Sequence, residues 1–263
     1  MRDHPVNYIK KRLEMSEVIN NMRRFVNQKI GYDIVRFAGQ HNLRSHLSRV
    51  FDLYKIDTII DVGANEGQFG HFLRSLGYSG WIYSFEPVVV PFEKLSQTSA
   101  SDSKWIVHNC ALGATLSEAL INVTKHTSFS SILSPSDYAL GHWESSHVDH
   151  QEKIVIRTLD ECCADGMVSG SDIVFLKMDT QGYDLEVFKG AQATLHQVRG
   201  ILSELSLIAV YDGCPNYMES LSIFEAAGFS VSGFYPITRN KNLSLNEVDC
   251  VLVNTEKLDQ VST

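Results

Sequence analysis

Several features that mark large protein classes are scarce or missing in this sequence. It has only five cysteines, Cys110, Cys162, Cys163, Cys214 and Cys250, and none are spaced as Cys-x-x-Cys. That argues against a disulfide framework or a cysteine-rich metal knuckle and suits a reducing compartment, so a cytoplasmic protein is expected. Long apolar runs are lacking too. Stretches such as Ile201 to Val210 fall far short of the roughly 20 residues that span a bilayer. Met1 is followed by a polar, charged stretch without an apolar segment, so no secretory leader is expected. No Gly-x-Ser-x-Gly elbow is present, which removes the commonest hydrolase nucleophile signature. Low-complexity tracts are also missing. With 44% hydrophobic and 21% charged residues over 263 positions, the chain can bury one good-sized core.

What is present is unevenly charged. The formal net charge is −8, yet residues 1–55 carry 11 Lys/Arg against 5 Asp/Glu, and the remainder carries 12 against 26. The acidic body argues against nucleic acid as the main partner. The basic segment reads first as a solvated helix surface. It would also suit a phosphate-bearing or lipid-linked acceptor, or an anionic membrane surface.

Val18, Met22, Phe25, Val26 and Ile30 fall at helical spacing, as do Leu43, Leu47, Val50, Phe51 and Tyr54. Residues 1–54 are therefore expected to form a helical N-terminal extension. From about residue 57 short apolar strands alternate with helices. The strands are Thr58–Val62, Trp81–Phe85, Trp105–Val107, Ile173–Leu176 and Ile201–Leu202. This is the pattern of an α/β fold with a mostly parallel, doubly wound sheet. Phe229–Tyr235 and Val248–Val253, around a polar turn at Thr238–Asn242, predict an antiparallel C-terminal hairpin. Ala119–Val123 and Lys153–Arg157 look like strands on either side of a Ser/His-rich insert at about 124–152. Such a length suggests a binding loop or lid.

The strongest local signal is Asp61-Val62-Gly63-Ala64-Asn65-Glu66-Gly67 at a strand-to-helix junction. Its glycines permit a tight turn and close approach to a ligand, beyond the carboxyl end of a strand, where open α/β sheets bind nucleotides. Glu86 ends the next strand, where an acid can meet ribose hydroxyls. Asp61 would repel a pyrophosphate but suits the cationic amino group of a methionine moiety, which favours S-adenosylmethionine over NAD. Backbone and side chain at Asn109, in His108-Asn109-Cys110-Ala111, are placed to meet an adenine ring.

The sequence resembles the FkbM family of S-adenosylmethionine-dependent methyltransferases. The resemblance rests on IDVGANEGQFG at 60–70, FEP at 85–87, NCALG at 109–113, SFSSIL at 128–133, LKMDTQGYDLEVFKGA at 176–191, LSELSLIAVYDG at 202–213 and AAGF at 226–229. It spans roughly residues 55–255 and implies a Rossmann-like class I methyltransferase fold. It also implies that Asp61, Gly63, Asn65 and Gly67 line the methionine side of the cofactor and that Glu86 binds the ribose. Ala64, Asn109 and Ala111 are further cofactor-binding candidates by position, although Asn109 could equally be an ordinary strand end. The methyltransferase domain is accordingly drawn at 55–263.

Asp179 ends one strand, and Lys177 lies two residues earlier on the same side. A lysine within such an apolar strand is costly unless paired. Glu204 ends the next candidate strand. If the two strands are neighbours, Asp179 and Glu204 converge at the mouth. Otherwise Asp179 caps the following helix and Glu204 pairs with Lys177. His126 is a further candidate base. His142, His147 and His150 have no recognised ligand spacing, so no metal ligands are assigned, although a divalent ion on the two carboxylates stays open. The expected activity is O-methylation of a sugar, glycan or other small-molecule hydroxyl. The alternatives are an NAD-dependent oxidoreductase and a binding module that has lost turnover.

Overall fold

The computed structural model describes residues 42–170 and 172–258. The chain divides into two units, 1–46 and 47–263. The helix expected over residues 16–30 lies outside the described residues. The second expected helix is α1, Leu43–Tyr54, with Leu47, Val50, Phe51 and Tyr54 buried.

The body is a seven-stranded sheet. In chain order its strands are β1 (Thr58–Val62), β2 (Trp81–Phe85), β3 (Trp105–His108), β7 (Val174–Met178), β8 (Val198–Ser206), β9 (Ser230–Arg239) and β10 (Leu245–Val253). Their spatial order is β3-β2-β1-β7-β8-β10-β9. Neighbours from β3 to β8 are parallel, and β10 runs antiparallel to both β8 and β9. The sheet is thus Rossmann-like and mostly parallel, closed by the expected antiparallel hairpin. Helices α2 (Gln68–Ser75), α3 (Val89–Ser99), α5 (Leu159–Ala164), α6 (Asp184–Lys189) and α7 (Tyr217–Ala226) complete the alternation.

The strands form because they can be buried on both faces. Every residue of β1 and β7 is buried. One large apolar cluster joins Ile60, Val62, Leu176, Met178 and Ile201 of the sheet to Leu185, Phe188, Phe224 and Phe229. The chain winds outward from β1 to β3 and then returns to place β7 beside β1. That reversal makes the carboxyl ends of β1 and β7 the topological switch point, the usual ligand position in open α/β sheets.

A second sheet, β4-β6-β5, is made by β4 (Ala111–Leu112), β5 (Ser117–Thr124) and β6 (Val148–Arg157). It is longer than the sequence suggests, because Thr124 pairs with Val148 and the hairpin runs on through His150 and Gln151. On the β6 side Val148 to Gln151 are exposed and mostly polar, so they lack the apolar alternation that marks a strand. The irregular part of the insert is therefore 125–147, which contains α4 (Asp137–His142).

Candidate active site

The loop after β1 turns sharply. Gly63, Asn65 and Gly67 have φ of 75°, 48° and 94°. A Cβ on Gly63 would lie 2.0 Å from the Asp179 carbonyl oxygen, so only glycine lets the loop pass β7 this closely. The amides of Gly63 and Ala64 both donate to the Phe85 carbonyl, at 3.1 and 3.0 Å. Ala64 is buried and Gly67 leads into α2.

Behind the loop runs a polar row. Ser84, Asp61 and Lys177 occupy the same register position on β2, β1 and β7, so their side chains share a face. Trp105 Nε1 donates to Ser84 Oγ at 3.0 Å, and Ser84 Oγ donates to Asp61 Oδ2 at 3.1 Å. Lys177 Nζ lies 3.0 Å from Asp61 Oδ1 and donates to the carbonyls of Gly63 (2.9 Å) and Val62 (3.3 Å). It also lies 3.5 Å from Asp179 Oδ2. Burial alone would push the lysine pKa down. Asp61 and Asp179 outweigh burial and hold it above its ordinary value. The alternative in which Glu204 pairs with Lys177 is thus replaced by pairing with Asp61. Asp61 itself is fully buried, with both oxygens facing protein groups. Its place in the row puts it beneath the loop, where it anchors Lys177.

Glu86 follows β2 and sits beside the loop. Its Oε2 accepts from the Asn65 amide at 2.8 Å and its Oε1 from the Val88 amide at 2.9 Å. It is 6% exposed. Burial raises its pKa to about 7, against the lowering effect of the two amides. Asn109 does not hold its side-chain amide out towards a ligand. Its Nδ2 donates to the carbonyls of Glu86 and Pro87, at 2.9 and 3.1 Å, and so fixes the strand end that carries the acid. Ala111 is buried in β4 within the apolar cluster of the second sheet, beside Val88 and Ile156.

The two candidate acids do meet. β7 and β8 are parallel neighbours, with Met178 opposite Ser203, which places Asp179 next to Glu204. Asp179 does not cap α6. Asp184 instead accepts from the Thr180 amide and hydroxyl. Nor does Glu204 end its strand: β8 runs on to Ser206 because antiparallel β10 goes on pairing there. Asp179 and Glu204 lie close enough that each shifts the protonation of the other. Gln181 Nε2 donates to both, to Asp179 Oδ1 and Glu204 Oε2, each at 2.9 Å. Tyr211 donates its hydroxyl to Gln181 Oε1 at 2.8 Å. Burial would raise Asp179, but Lys177, Glu204 and Gln181 hold it below its ordinary value. Burial, Asp179, Glu247 and Asp249 push Glu204 well above its own. Asp249, opposite Glu204 on β10, is itself raised to about 7, chiefly by burial.

Gln181, Tyr211, Glu247 and Asp249 are missed by sequence reasoning. Gln181 lay in view within Asp-x-Gln-Gly, and Glu247 and Asp249 alternate with apolar residues, but only strand order brings them to the acids. The insert is missed in another respect, since it is pinned at several points. Thr127 Oγ1 donates to Asn65 Oδ1 at 2.9 Å, Ser131 Oγ to the Gln181 carbonyl at 2.8 Å, and Ser136 Oγ to the Ala209 carbonyl at 2.7 Å. The segment runs from the glycine loop to the strand ends. His126 opens this strap, exposed, while its carbonyl accepts from Thr124 Oγ1. His142 stacks on Tyr138, and His150 faces Asp149 and Glu152. Among the described residues no group of three or more His, Cys, Asp or Glu is arranged to hold a metal ion.

No curated protein matches the chain. Solved structures similar to it include an rRNA methylase from Streptococcus thermophilus, at 12% identity and TM-score 0.41 over 82% of this chain and 99% of that one. Another is magnesium protoporphyrin IX methyltransferase from Synechocystis PCC 6803 with bound SAM, at 10% identity and TM-score 0.42 over 90% and 96%. A third is precorrin-6y C5,15-methyltransferase from Geobacter metallireducens GS-15, at 11% identity and TM-score 0.43 over 80% and 86%. No residue role follows from likeness at this level. A family model for the methyltransferase FkbM domain matches residues 61–231, from Asp61 through the glycine loop and the carboxyl pair into β9. The sheet is that of a class I methyltransferase, and the chain belongs to the FkbM family of S-adenosylmethionine-dependent methyltransferases.

Proposed function

We propose that residues 55–263 transfer a methyl group from S-adenosylmethionine to a hydroxyl oxygen of a small-molecule or glycan acceptor. The observation that carries this is one contact set. Lys177 touches the Gly63 carbonyl of the loop at 2.9 Å and lies 3.5 Å from Asp179 of the carboxyl pair, so a nucleotide-type loop and a proton acceptor meet at the same strand ends. The residues fit the cofactor. Gly63 leaves room where a Cβ would clash, and Glu86 keeps unused lone pairs for ribose hydroxyls beside the loop. When bound, S-adenosylmethionine supplies an electrophilic methyl group. The protein's part is alignment of the two reactants and removal of the hydroxyl proton by the Asp179–Glu204 pair. The strap at 127–136 would form the acceptor side.

The carboxylates of Asp179, Glu204, Glu247 and Asp249 disfavour a phosphate-dense acceptor such as nucleic acid at the mouth. In a phosphate- or lipid-linked acceptor, the phosphate would lie away from them. All five cysteines are free thiols, which supports a reducing, cytoplasmic setting. Among the described residues no helix is long and apolar enough to cross a membrane.

Incubation with S-adenosylmethionine and pools of sugars, glycans and hydroxylated metabolites should give products heavier by one methylene, read by mass spectrometry. Methylation confined to nitrogen or carbon acceptors would sink the O-methyl reading. Cofactor binding should also depend on pH. Glu86 in the free protein holds a proton until about pH 7, and ribose hydroxyls favour its ionised form. Affinity should therefore rise with pH by at most about tenfold per unit up to about pH 7 and then level off, with proton release on binding. Calorimetry in two buffers of different ionisation enthalpy measures this. A pH-independent affinity in the wild type, or an unchanged slope in Glu86→Gln, would remove Glu86 from the ribose site.

A further inference from the structure

Gln181 has no assigned role, yet it is the most constrained polar residue at the mouth. Its φ is 55°, a left-handed conformation that non-glycine residues rarely adopt. Its backbone carbonyl accepts from Ser131 Oγ at 2.8 Å. Both hydrogens of its Nε2 are spent on acids, Asp179 Oδ1 and Glu204 Oε2, each at 2.9 Å. Its Oε1 accepts from Tyr211, a buried phenol that also donates towards the Phe129 carbonyl at 3.0 Å. An ionised carboxylate only accepts, so Asp179 decides which end of the amide is nitrogen, and the Tyr211 hydroxyl, kept protonated by burial, meets the oxygen end. The nitrogen is then fixed against the carboxyl pair. A donor shared by two acids steadies ionised oxygens, and two carboxyls brought together on one amide do not both ionise readily, which leaves the pair one proton.

The other charged groups around the pair divide the same way. Lys177 of β7 lies 3.5 Å from Asp179 and carries Asp61 of β1 on its other side. Glu247 and Asp249 of β10, both raised above their ordinary values chiefly by burial, face Glu204. Asp184 of α6 adds a further negative influence on Asp249, but it is held by Thr180 and Ser203. The cation is thus on the Asp179 side and the acids crowd the Glu204 side. The side chain of Asp179 is 41% exposed, so an acceptor can reach it.

We infer that Gln181 is a positioning residue that holds Asp179 and Glu204 as a pair with a single proton, kept on Glu204, so that Asp179 stays ionised to receive the acceptor's proton. This deepens the methyl-transfer reading above and rests on it. In the transfer the acceptor oxygen forms its bond to the methyl carbon as the sulfur–carbon bond breaks, and that electron pair stays on sulfur. The hydroxyl proton passes to Asp179. The amide moves no proton itself. It sets which acid is the base.

The test is thermal unfolding of the full chain between about pH 5 and about pH 9 for the wild type, Gln181→Leu, Tyr211→Phe and Glu204→Gln. A raised carboxyl contributes stability that is complete below its unfolded value and is lost as pH rises through its folded value. Wild type should therefore lose stability relative to Glu204→Gln as pH rises, because the glutamine amide mimics the protonated acid. In Gln181→Leu the lost donor should move that titration up by about one pH unit. Tyr211→Phe, the milder change, should move it the same way by less. A uniform drop in midpoint at every pH in both variants would mean a merely structural role and overturn the inference, as would a Glu204→Gln difference that does not grow with pH. S-adenosylmethionine titrated into Gln181→Leu by calorimetry should bind within a few-fold of wild type, and lost binding in a folded variant would overturn the placement of Gln181 at the acceptor side. A wild type that binds no S-adenosylmethionine would sink the methyl-transfer reading, whereas the pH titration of the pair would still be readable.

Discussion

Asp179→Asn should lower methyl transfer by about 10²–10⁴-fold, the usual worth of a positioned general base, while S-adenosylmethionine affinity stays within a few-fold. Asp179 touches the loop only through Lys177 and its backbone, so the cofactor cradle should survive the change. Its Oδ1 accepts from Gln181, and asparagine can keep that bond only through its amide oxygen, which takes no proton at neutral pH. Glu204→Gln should behave differently. Burial and acidic neighbours raise Glu204 well above its ordinary value, and as the proton carrier inferred above it is matched by glutamine, so the change should cost turnover no more than about tenfold, well below the Asp179 effect. Single-turnover assays on an acceptor found by mass spectrometry, with and without chelator, separate the outcomes. Equal losses in both variants would mean that the proton is not partitioned as described. Abolition by chelator with rescue by Mg²⁺ would replace the general base with a metal ion bound by these carboxylates.

The second large effect is on stability. Lys177→Met should destabilise the protein by about 3–5 kcal/mol, the typical cost of removing one partner of a buried pair. The lysine side chain is 6% exposed and Asp61 is fully buried, so the carboxylate left behind has no route to water. The loop also loses the donor to the Gly63 and Val62 carbonyls, and cofactor affinity should fall with it. Asp61→Asn alone should cost less, because Lys177 keeps Asp179 at 3.5 Å and the two loop carbonyls. The double variant Asp61→Asn/Lys177→Met removes both charges and should be less destabilised than the two single effects added together. Against a typical total of about 5–15 kcal/mol, the single variants should show clearly in urea unfolding. Additive losses, or single effects below about 1 kcal/mol, would show that the pair is not the fastening it looks to be.

These two sites show how far the residues alone could be read. The glycine turn, Glu86 and the alternation of strands with helices are local patterns, in which spacing along the chain maps directly onto a turn, a strand end or a buried strand. They were legible for that reason, as was the family resemblance, which rests on blocks in order. Asp61 was legible as an acid in the right place, but its bonding was not. Whether a carboxylate at that position faces a ligand or a lysine depends on which strand lies beside β1. That neighbour is β7, more than a hundred residues away in the chain.

The same reason governs the rest. The sequence by itself determined a mostly parallel doubly wound sheet, an antiparallel closing hairpin, and acids at Asp61, Glu86, Asp179 and Glu204 near strand ends, because hydrophobic period and turn chemistry are properties of short segments. Tertiary structure alone decided that Asn109 braces Glu86, that Lys177 belongs to Asp61, and that Gln181 and Tyr211 orient the carboxyl pair. It also decided that the polar face of β6 is strand and that the strap from Thr127 to Ser136 is tied to the loop and the strand ends. Apart from the short reach of Gln181 to Asp179, these rest on hydrogen bonds or ion pairs between segments distant in the chain, and such partners are chosen by strand order and register, which no single segment encodes.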